Sequence, residues 1–154
     1  MVTTDPAPDE PPPPHDRRRL VLVTGAAGRV GTALRPYLRE RYDLRLHDRV
    51  AAPDPRQGES VVVSDLADYG AVLAATRGVD AVLHLACVHG LELRFDDSVP
   101  TNVTGTMNVL EAMRTAGVTR HVYASSHHVL GAHSSVGLTQ EEAADLDLAP
   151  DAAY

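Results

Sequence analysis

The sequence predicts an α/β fold in which helices cover both faces of a doubly wound parallel sheet. Short apolar runs typical of buried strands alternate with longer amphipathic stretches typical of helices. Glycines end two of these stretches, and a glycine triplet separates the first apolar run from the first amphipathic one. Because strands that alternate with helices form right-handed βαβ units, these observations favour parallel strands joined by crossover helices.

Five short segments carry the strand pattern. The first has an uninterrupted apolar run that ends in Thr-Gly, as expected for a strand buried on both faces. The second alternates apolar and polar residues. In chain order the segments are RLVLVTG, DLRLHD, SVVVSD, VDAVLHLA and TRHVYASS.

Three segments carry the helical pattern. The first, RVGTALRPYLRERY, has arginines on one face, and Pro36 within it predicts a kink or a shortened first turn. Gly78 ends the second, LADYGAVLAATRG, and Gly117 ends the third, PTNVTGTMNVLEAMRTAG. The apolar face predicted for the first helix consists of Val30, Leu34, Tyr37, Leu38 and Tyr42.

Residues 18–154 are predicted to form one domain, and residues 1–17 a disordered tail. The tail is rich in proline and acidic residues and offers almost nothing apolar to bury. Its alternative role is that of a ligand for a proline-binding domain. It has no apolar segment of the kind that a secretory signal requires.

Composition and charge narrow the class of function. The net charge of −7 is opposite to that of a nucleic-acid-binding surface, and no apolar run approaches the ~20 residues of a membrane span. We therefore expect neither nucleic acid nor a membrane as a partner. All 14 basic residues are arginine, so the sequence contains no lysine. Its single cysteine excludes an internal disulfide and favours a reducing cytoplasm.

The glycine triplet predicts a dinucleotide site. In VTGAAGRVGTAL, Gly25, Gly28 and Gly31 follow the first strand directly and open the first helix. Gly25 permits the tight turn, Gly28 lets a pyrophosphate approach the backbone, and Gly31 lets the helix pack on the strand. The start of the helix offers N–H groups and a positive dipole to an anion. Strand, glycines and helix together predict a Rossmann-type sheet.

An acidic residue at the end of the second strand predicts which cofactor binds. Asp48 lies 23 residues after Gly25, where a carboxylate accepts hydrogen bonds from both ribose hydroxyls and repels a 2′-phosphate. This favours NAD over NADP. Arg49, the next residue, is the opposing signal, because its guanidinium could receive that phosphate.

Five segments in order resemble the extended short-chain dehydrogenase/reductases, the NAD-dependent epimerase/dehydratase group. They are TGAAGRVG, SDLAD, HLA, NVTGTMNVLEA and YASSHHVLG, and the resemblance covers residues 20–154. Within the group, TGAAG and SSHH are most similar to the uronate dehydrogenases, which have ASSNH at the second place. The resemblance implies NAD as cofactor and a sugar or sugar acid as the small-molecule substrate.

The same resemblance implies a set of cofactor contacts. Asp65 and Leu66 would flank the adenine, although an aspartate at this place is equally common as a helix N-cap. Asn102 would brace the active-site backbone, or cap the first turn of the third helix. We expect Cys87 to be a buried small residue rather than a nucleophile. The remaining implied cofactor residues are Arg29, Val30, Leu85, Ala86, Cys87 and Ser125.

Substrate binding would lie at the end of the fifth strand. Ser126 would bind the reacting oxygen, just outside the carboxyl end of a strand, where open α/β sheets bind ligands. His128 would contact polar groups of the substrate. His127 stands where the uronate dehydrogenases have asparagine, which leaves the substrate open. No carboxylate or cysteine accompanies the pair, so no metal site is predicted. The other histidines are interpreted as structural or solvated: His15, His47, His84, His89, His121 and His133.

The resemblance makes Tyr154 the general acid/base. It falls 28 residues after Ser126, about where the family's Tyr-x-x-x-Lys begins. In that motif the lysine charge lowers the pKa of a phenol that is ordinarily about 10. The sequence ends before residue 158 and has no other lysine, so we expect a truncated chain that is inactive alone, with its substrate domain absent. The alternative is that Tyr154 is an arbitrary terminal residue.

Two classes of function remain open at this point. The first is an NAD-dependent oxidoreductase or epimerase that acts on a sugar or sugar acid. The second is a non-catalytic NAD(P)-binding or interaction module. In either case a homo-oligomer is left open for the full-length form.

Overall fold

The computed structural model describes residues 17–90 and 94–126. Its five strands form one sheet, and each lies where the sequence predicts a strand. The strands are β1 (Leu20–Thr24), β2 (Asp43–Asp48), β3 (Glu59–Val63), β4 (Ala81–His84) and β5 (His121–Tyr123).

The helices comprise three in segments that the sequence predicts and a short one, Phe95–Ser98, that it does not predict, because the third predicted segment begins only at Pro100. They are α1 (Arg29–Leu38), α2 (Tyr69–Thr76), α3 (Phe95–Ser98) and α4 (Thr106–Ala116). A π-helical segment, Val99–Gly105, joins α3 to α4. The third predicted helix is therefore not one uniform α-helix. Gly117 ends α4 in the left-handed conformation (φ 72°), as the sequence predicts.

The strand order is β3-β2-β1-β4-β5. β1 pairs in parallel with β2 on one side and with β4 on the other, and β2 pairs in parallel with β3. Leu22 at the centre of β1 stands opposite Arg45 of β2 and Val82 of β4. The order reverses direction between β1 and β4, which confirms the doubly wound, Rossmann-type sheet.

The residues of β1 alternate between two apolar cores. Leu22 faces the core that lies under α2 and α4, whereas Val21 and Val23 face the opposite core. The first core consists of Leu22, Leu66, Val72, Ala75, Val79, Val82, Val109, Ala112, Met113 and Val118. The second consists of Val21, Val23, Ala26, Leu44, Leu46 and Ala52. Layers on both faces account for the apolar character of β1.

The buried face of α1 differs from the predicted one. Val30 and Tyr37 are 55% and 71% exposed, whereas Arg35 is only 5% exposed. The helix ends at Leu38, two residues after a proline in its last turn. Arg35 is buried because its guanidinium binds the buried carboxylate of Glu59, with Nη2 2.8 Å from Oε2. The apolar pattern predicts valine and tyrosine on the buried face of α1. In the structure an arginine lies there instead.

The chain divides into two compact units, Met1–Val122 and Tyr123–Tyr154. Of the predicted tail, residues 1–16 lie outside the described residues. Arg17 is described, and its guanidinium binds the Asp80 carboxylate at 2.8 Å. Across residues 17–90 and 94–126, none of the helices is long and apolar enough to cross a bilayer.

Candidate functional site

A cavity of about 250 Å³ opens at the carboxyl ends of the parallel strands. It lies beside the point between β1 and β4 where the strand order reverses, which is where open α/β sheets bind ligands. Its wall comes from the segments that follow β1, β2, β3 and β4. The lining residues are Gly25, Ala27, Gly28, His47, Asp48, Arg49, Val50, Ser64, Asp65, Leu66, Leu85, Ala86, Cys87, Val88 and Thr101.

The glycine loop closes one side of this cavity. Gly25 has φ +69°, and a Cβ there would lie 2.7 Å from the backbone nitrogen of Ala86. A Cβ at Gly31 would lie 2.4 Å from the carbonyl oxygen of Gly25. Both positions therefore require glycine for close packing of strand and helix. Gly28 precedes α1 and lines the cavity, and a Cβ there would meet nothing nearer than the Gly25 oxygen at 3.1 Å.

Two predicted residues of the glycine segment face elsewhere. Arg29 and Val30 begin α1, are exposed, and are not among the residues that line the cavity. A cofactor could contact these two residues only with a part that lies outside the cavity.

Asp48 joins the end of β2 to the glycine loop. Its Oδ2 accepts a hydrogen bond from the Ala27 N–H at 3.0 Å, and its Oδ1 accepts one from the Arg49 N–H at 2.7 Å. Each carboxylate oxygen retains further lone-pair capacity for a hydroxyl donor. The Asp48 carboxylate is therefore both fixed in orientation and able to accept hydrogen bonds from a ligand in the cavity.

Asp65 is not the N-cap of α2, so that alternative is wrong. The cap is Asp68, whose Oδ1 accepts from the Ala71 N–H at 3.0 Å. Asp65 instead accepts from the Ala67 N–H at 2.9 Å within its own turn, and it lines the cavity. Leu66 beside it is 4% exposed and joins the core under α2 and α4.

The segment after β4 forms the opposite wall. The N–H groups of Leu85 and Ala86 both lie within hydrogen-bond distance of the Thr24 hydroxyl, at 3.2 and 3.3 Å. Cys87 lines the cavity and is exposed, which corrects the expectation that it is buried. The reason is its position: it follows the end of β4, at the open edge of the sheet rather than between sheet and helices.

Asn102 braces this wall from the π-helical segment. Its Oδ1 accepts from the Val88 N–H at 2.9 Å, and its Nδ2 donates to the Val88 carbonyl at 2.8 Å. The side chain thus satisfies both backbone groups of one residue. Asn102 does not line the cavity itself, but Val88 does.

A buried chain of hydrogen bonds runs beneath the cavity, and sequence reasoning did not identify it as part of the site. His84 Nδ1 is 2.6 Å from the Thr24 hydroxyl, and its Nε2 is 3.1 Å from the Thr106 hydroxyl. The Thr106 hydroxyl in turn donates to the Asn102 carbonyl at 2.8 Å. Because Thr24 already accepts from two backbone N–H groups, its proton points to Nδ1, and the imidazole proton lies on Nε2. β1, β4 and α4 are thereby tied together.

His84 is neutral in this chain of hydrogen bonds. Burial, together with the repulsion from His121 and His47 once acid protonates them, lowers the pKa of His84 to about 4. The His84 and His121 rings stack with their centroids 6.3 Å apart. These contacts fit the interpretation of both histidines as structural or solvated residues.

His47 and Ser64 are cavity residues that sequence reasoning did not assign to the site. His47 is 2% exposed, and its Nε2 lies 2.7 Å from the Ser64 hydroxyl. Their positions directly before Asp48 and Asp65 are the signal that could have found them, since one pair ends β2 and the other directly follows the adjacent strand β3.

None of the predicted substrate residues that the structure describes is among the residues that line this cavity. Ser125 and Ser126 belong to the second unit, of which the structure describes Tyr123–Ser126, and both are exposed. His127, His128 and Tyr154 lie outside the described residues. Over residues 17–90 and 94–126, no three His, Cys, Asp or Glu side chains come together as a metal site.

A family model for the NAD dependent epimerase/dehydratase family matches residues 21–154. The chain belongs to this family. The match confirms the family resemblance of the five segments, and it covers the glycine loop, Asp48 and the wall after β4.

Individual members of the family are similar over most of the chain. A uronate dehydrogenase of Pseudomonas syringae pv. tomato is 44% identical over 114 residues, which cover 72% of this chain and 41% of that protein. An NAD-dependent glucose-6-phosphate dehydrogenase of Haloferax volcanii is 37% identical over 126 residues, which cover 79% of this chain and 48% of that protein. The chain thus spans less than half the length of these two relatives.

A solved structure is similar to this chain over most of its length. A mutant of uronate dehydrogenase from Agrobacterium tumefaciens, complexed with NAD, has a TM-score of 0.69 and 38% identity. The matched part is 73% of this chain and 43% of that structure. The likeness to uronate dehydrogenases, first indicated by TGAAG and SSHH, is confirmed.

Proposed function

We propose that this chain is the dinucleotide-binding part of an NAD-dependent oxidoreductase that acts on a sugar or sugar acid, in the manner of a uronate dehydrogenase. The observation that carries the proposal is the fixed carboxylate of Asp48 beside the glycine loop, at the edge of the sheet where the strand order reverses. The relatives named above are dehydrogenases, which supports the class of reaction.

The residues present fit a dinucleotide. The tight packing around Gly25 and Gly31 leaves the start of α1 uncovered at Gly28, where backbone N–H groups would hold the pyrophosphate. Asp65 and Leu66 would flank the adenine. Leu85, Ala86 and Cys87 would form the small-residue wall on the ribose and pyrophosphate side. Further contacts are proposed for Arg29, Val30, Asn102 and Ser125.

The preference for NAD over NADP rests on electrostatics. The Asp48 carboxylate would accept hydrogen bonds from the ribose hydroxyls, and its negative charge would repel a 2′-phosphate. Arg49 opposes this effect, because it also lines the cavity and could pair with that phosphate. Asp48 is already held by two backbone N–H groups, so a ribose gains a preorganised acceptor, whereas the exposed Arg49 would have to be ordered.

Substrate chemistry is proposed for the residues after β5. When bound, NAD would accept a hydride from the carbon that is oxidised. Ser126 would hold the hydroxyl on that carbon, and Tyr154 would take its proton. His127 and His128 would contact the polar groups of the sugar or sugar acid.

Cofactor selectivity tests the proposal. We expect Asp48→Asn to weaken NAD binding about 10- to 100-fold, the range for loss of a charge-assisted hydrogen bond, and to lower the NAD/NADP affinity ratio. Asparagine keeps one oxygen for the Ala27 N–H, which holds the glycine loop, and gives up the second oxygen, which accepts from the Arg49 N–H. Calorimetric titration of both dinucleotides measures the ratio, and Asp96→Asn, an exposed carboxylate outside the cavity lining, is the matched control. Tighter binding of NADP than NAD by the unaltered chain would contradict the role given to Asp48.

Turnover separates the enzyme from a non-catalytic NAD-binding module. The 154 residues contain no lysine, which favours the module for this polypeptide by itself, because no ammonium among them can assist Tyr154. We expect the 154-residue protein to bind NAD but to reduce it with glucuronate or galacturonate at a rate near background. Absorbance at 340 nm follows the reaction. A clear rate that Ser126→Ala abolishes would show that the 154 residues are sufficient for catalysis.

A further inference from the structure

His47 and Ser64 form a polar pair at one end of the cavity. His47 is the penultimate residue of β2, and Ser64 directly follows β3, the strand that pairs with β2. The Nε2 of His47 lies 2.7 Å from the Ser64 hydroxyl oxygen, and both residues line the cavity together with Asp48 and Asp65. Neither belongs to the set of cofactor residues that the family resemblance implies.

The direction of this hydrogen bond follows from the other ring nitrogen. His47 Nδ1 is buried and has no hydrogen-bond partner among the described residues. A buried N–H without an acceptor is rarer in proteins than a buried acceptor without a donor. We therefore assign the proton to Nε2, so that Nε2 donates to the Ser64 oxygen.

The Ser64 hydroxyl proton is then available to a ligand. The backbone N–H of Ser64 is already used, since it donates to the Asp48 carbonyl at 3.1 Å. Apart from His47 Nε2, which is assigned as the donor, no atom in the described part of the chain forms a hydrogen bond with the Ser64 hydroxyl. His47 holds the hydroxyl oxygen, so the hydroxyl can still donate its proton to a ligand in the cavity. This donor lies between the two aspartates that are proposed to contact ribose and adenine.

His47 keeps this arrangement by remaining neutral. Burial lowers the pKa of its imidazole, against the opposing effect of the Asp48 and Asp65 carboxylates. A neutral ring has one donor and one acceptor nitrogen, so the assignment of the proton to Nε2 persists near neutral pH.

We propose that the Ser64 hydroxyl is a further cofactor contact, which donates a hydrogen bond to an acceptor on the adenosine half of the dinucleotide, and that His47 is the positioning residue that orients it. This inference rests on the proposed function, because it requires a dinucleotide in the cavity. It adds a neutral donor to an end of the site where the other two proposed polar contacts, Asp48 and Asp65, are negatively charged acceptors.

Binding of three ligands by the 154-residue chain tests the proposal. We expect Ser64→Ala to weaken NAD and ADP-ribose by the same factor, about three- to tenfold, as for the loss of one neutral hydrogen bond. Binding of nicotinamide mononucleotide, which has no adenosine, should be unchanged. Ser60→Ala is the matched control, since Ser60 lies on β3, which Ser64 directly follows, donates to the Leu44 carbonyl and does not line the cavity.

A double-mutant cycle tests the role of His47. We expect His47→Phe, which keeps the ring but removes both nitrogens, to weaken ADP-ribose binding in the unaltered chain. In the Ser64→Ala background the same substitution should change the affinity less than twofold, because the group that His47 orients is gone. A merely structural effect of His47 would be the same in both backgrounds. Circular dichroism on each variant verifies that the sheet is intact.

The outcomes separate this inference from the function on which it rests. If the unaltered chain binds neither NAD nor ADP-ribose, the proposed function fails and the inference fails with it. If the unaltered chain binds both and Ser64→Ala binds ADP-ribose within twofold of it, the Ser64 contact alone is refuted. Equal effects of His47→Phe in the two backgrounds would refute the positioning role.

Discussion

Replacing Arg35 by methionine should strongly destabilise the chain, because it leaves Glu59 as a buried, unpaired charge. The two side chains are 6% and 0% exposed, and the guanidinium meets the carboxylate through two hydrogen bonds, Nη2 to Oε2 at 2.8 Å and Nε to Oε1 at 3.3 Å. Arg35 Nη1 also donates to the Pro53 carbonyl at 2.9 Å. The ion pair thus fixes α1 against β3 and the loop between β2 and β3.

The expected cost follows from this environment. Removing one partner of a buried ion pair costs about 3–5 kcal/mol, a large share of the 5–15 kcal/mol by which ordinary domains are stable. Burial tends to raise the pKa of Glu59, but the hydrogen bonds from Arg35 and from the Arg56 N–H outweigh it, so the pKa is lowered in the native protein. Without Arg35 the burial effect prevails, and Glu59 should take up a proton on folding.

Urea unfolding followed by circular dichroism measures the cost. We expect Arg35→Met to lose about 3–5 kcal/mol of unfolding free energy, and Glu59→Gln in the same background to recover at least half of it by removing the charge. Arg114→Met is the matched control, because Arg114 pairs with Glu111 on the exposed surface of α4, and its unfolding midpoint should not move. A loss below about 1 kcal/mol for Arg35→Met, or no recovery in the double variant, would refute the reasoning.

Two further predictions concern His84 and Gly31. Because the pKa of His84 is about 4 when folded and near 6.5 when unfolded, its contribution to the unfolding free energy is present above pH 6.5 and should fall by about 3 kcal/mol as the pH drops to 4. His84→Gln should flatten this pH dependence in urea titrations while the exposed His89→Gln should not, and identical slopes would contradict the assignment. Gly31→Ala should lower the free energy of unfolding by about 1–3 kcal/mol through its clash with Gly25, whereas Gly70→Ala, with 3.4 Å of clearance in α2, should be neutral or slightly stabilising. Thermal unfolding measures the stability of both variants, and equal stability would contradict the prediction.

Features that depend on local pattern were predictable from the sequence. The buried strand β1, the turn at Gly25 and the end of α4 at Gly117 each follow from a few adjacent residues. The family resemblance rests on the same segments, because the residues that close the loop on the sheet are also those that a dinucleotide requires.

Features that depend on a distant partner were not predictable in this way. Burial of Arg35 requires Glu59 on another element, and a single helix pattern gives no sign of it. The choice of Asp68 over Asp65 as N-cap depends on which carboxylate reaches the Ala71 N–H, and both residues fit the capping preference. The exposure of Cys87 depends on what covers the sheet edge after β4.

The π-helical segment determines how far the chain rotates about the helix axis between two side chains that bind other parts of the fold. Insertions and deletions would change this rotation. Asn102 within it reaches back to Val88, while Thr106 at the start of α4 reaches His84. A helix turns by about 100° per residue, so deleting one residue between these two side chains would restore a uniform α-helix only by rotating one of them away from its partner. In a lineage of such sequences, the exposed positions Pro100, Val103 and Thr104 should therefore tolerate substitution more readily than the segment tolerates a change of length.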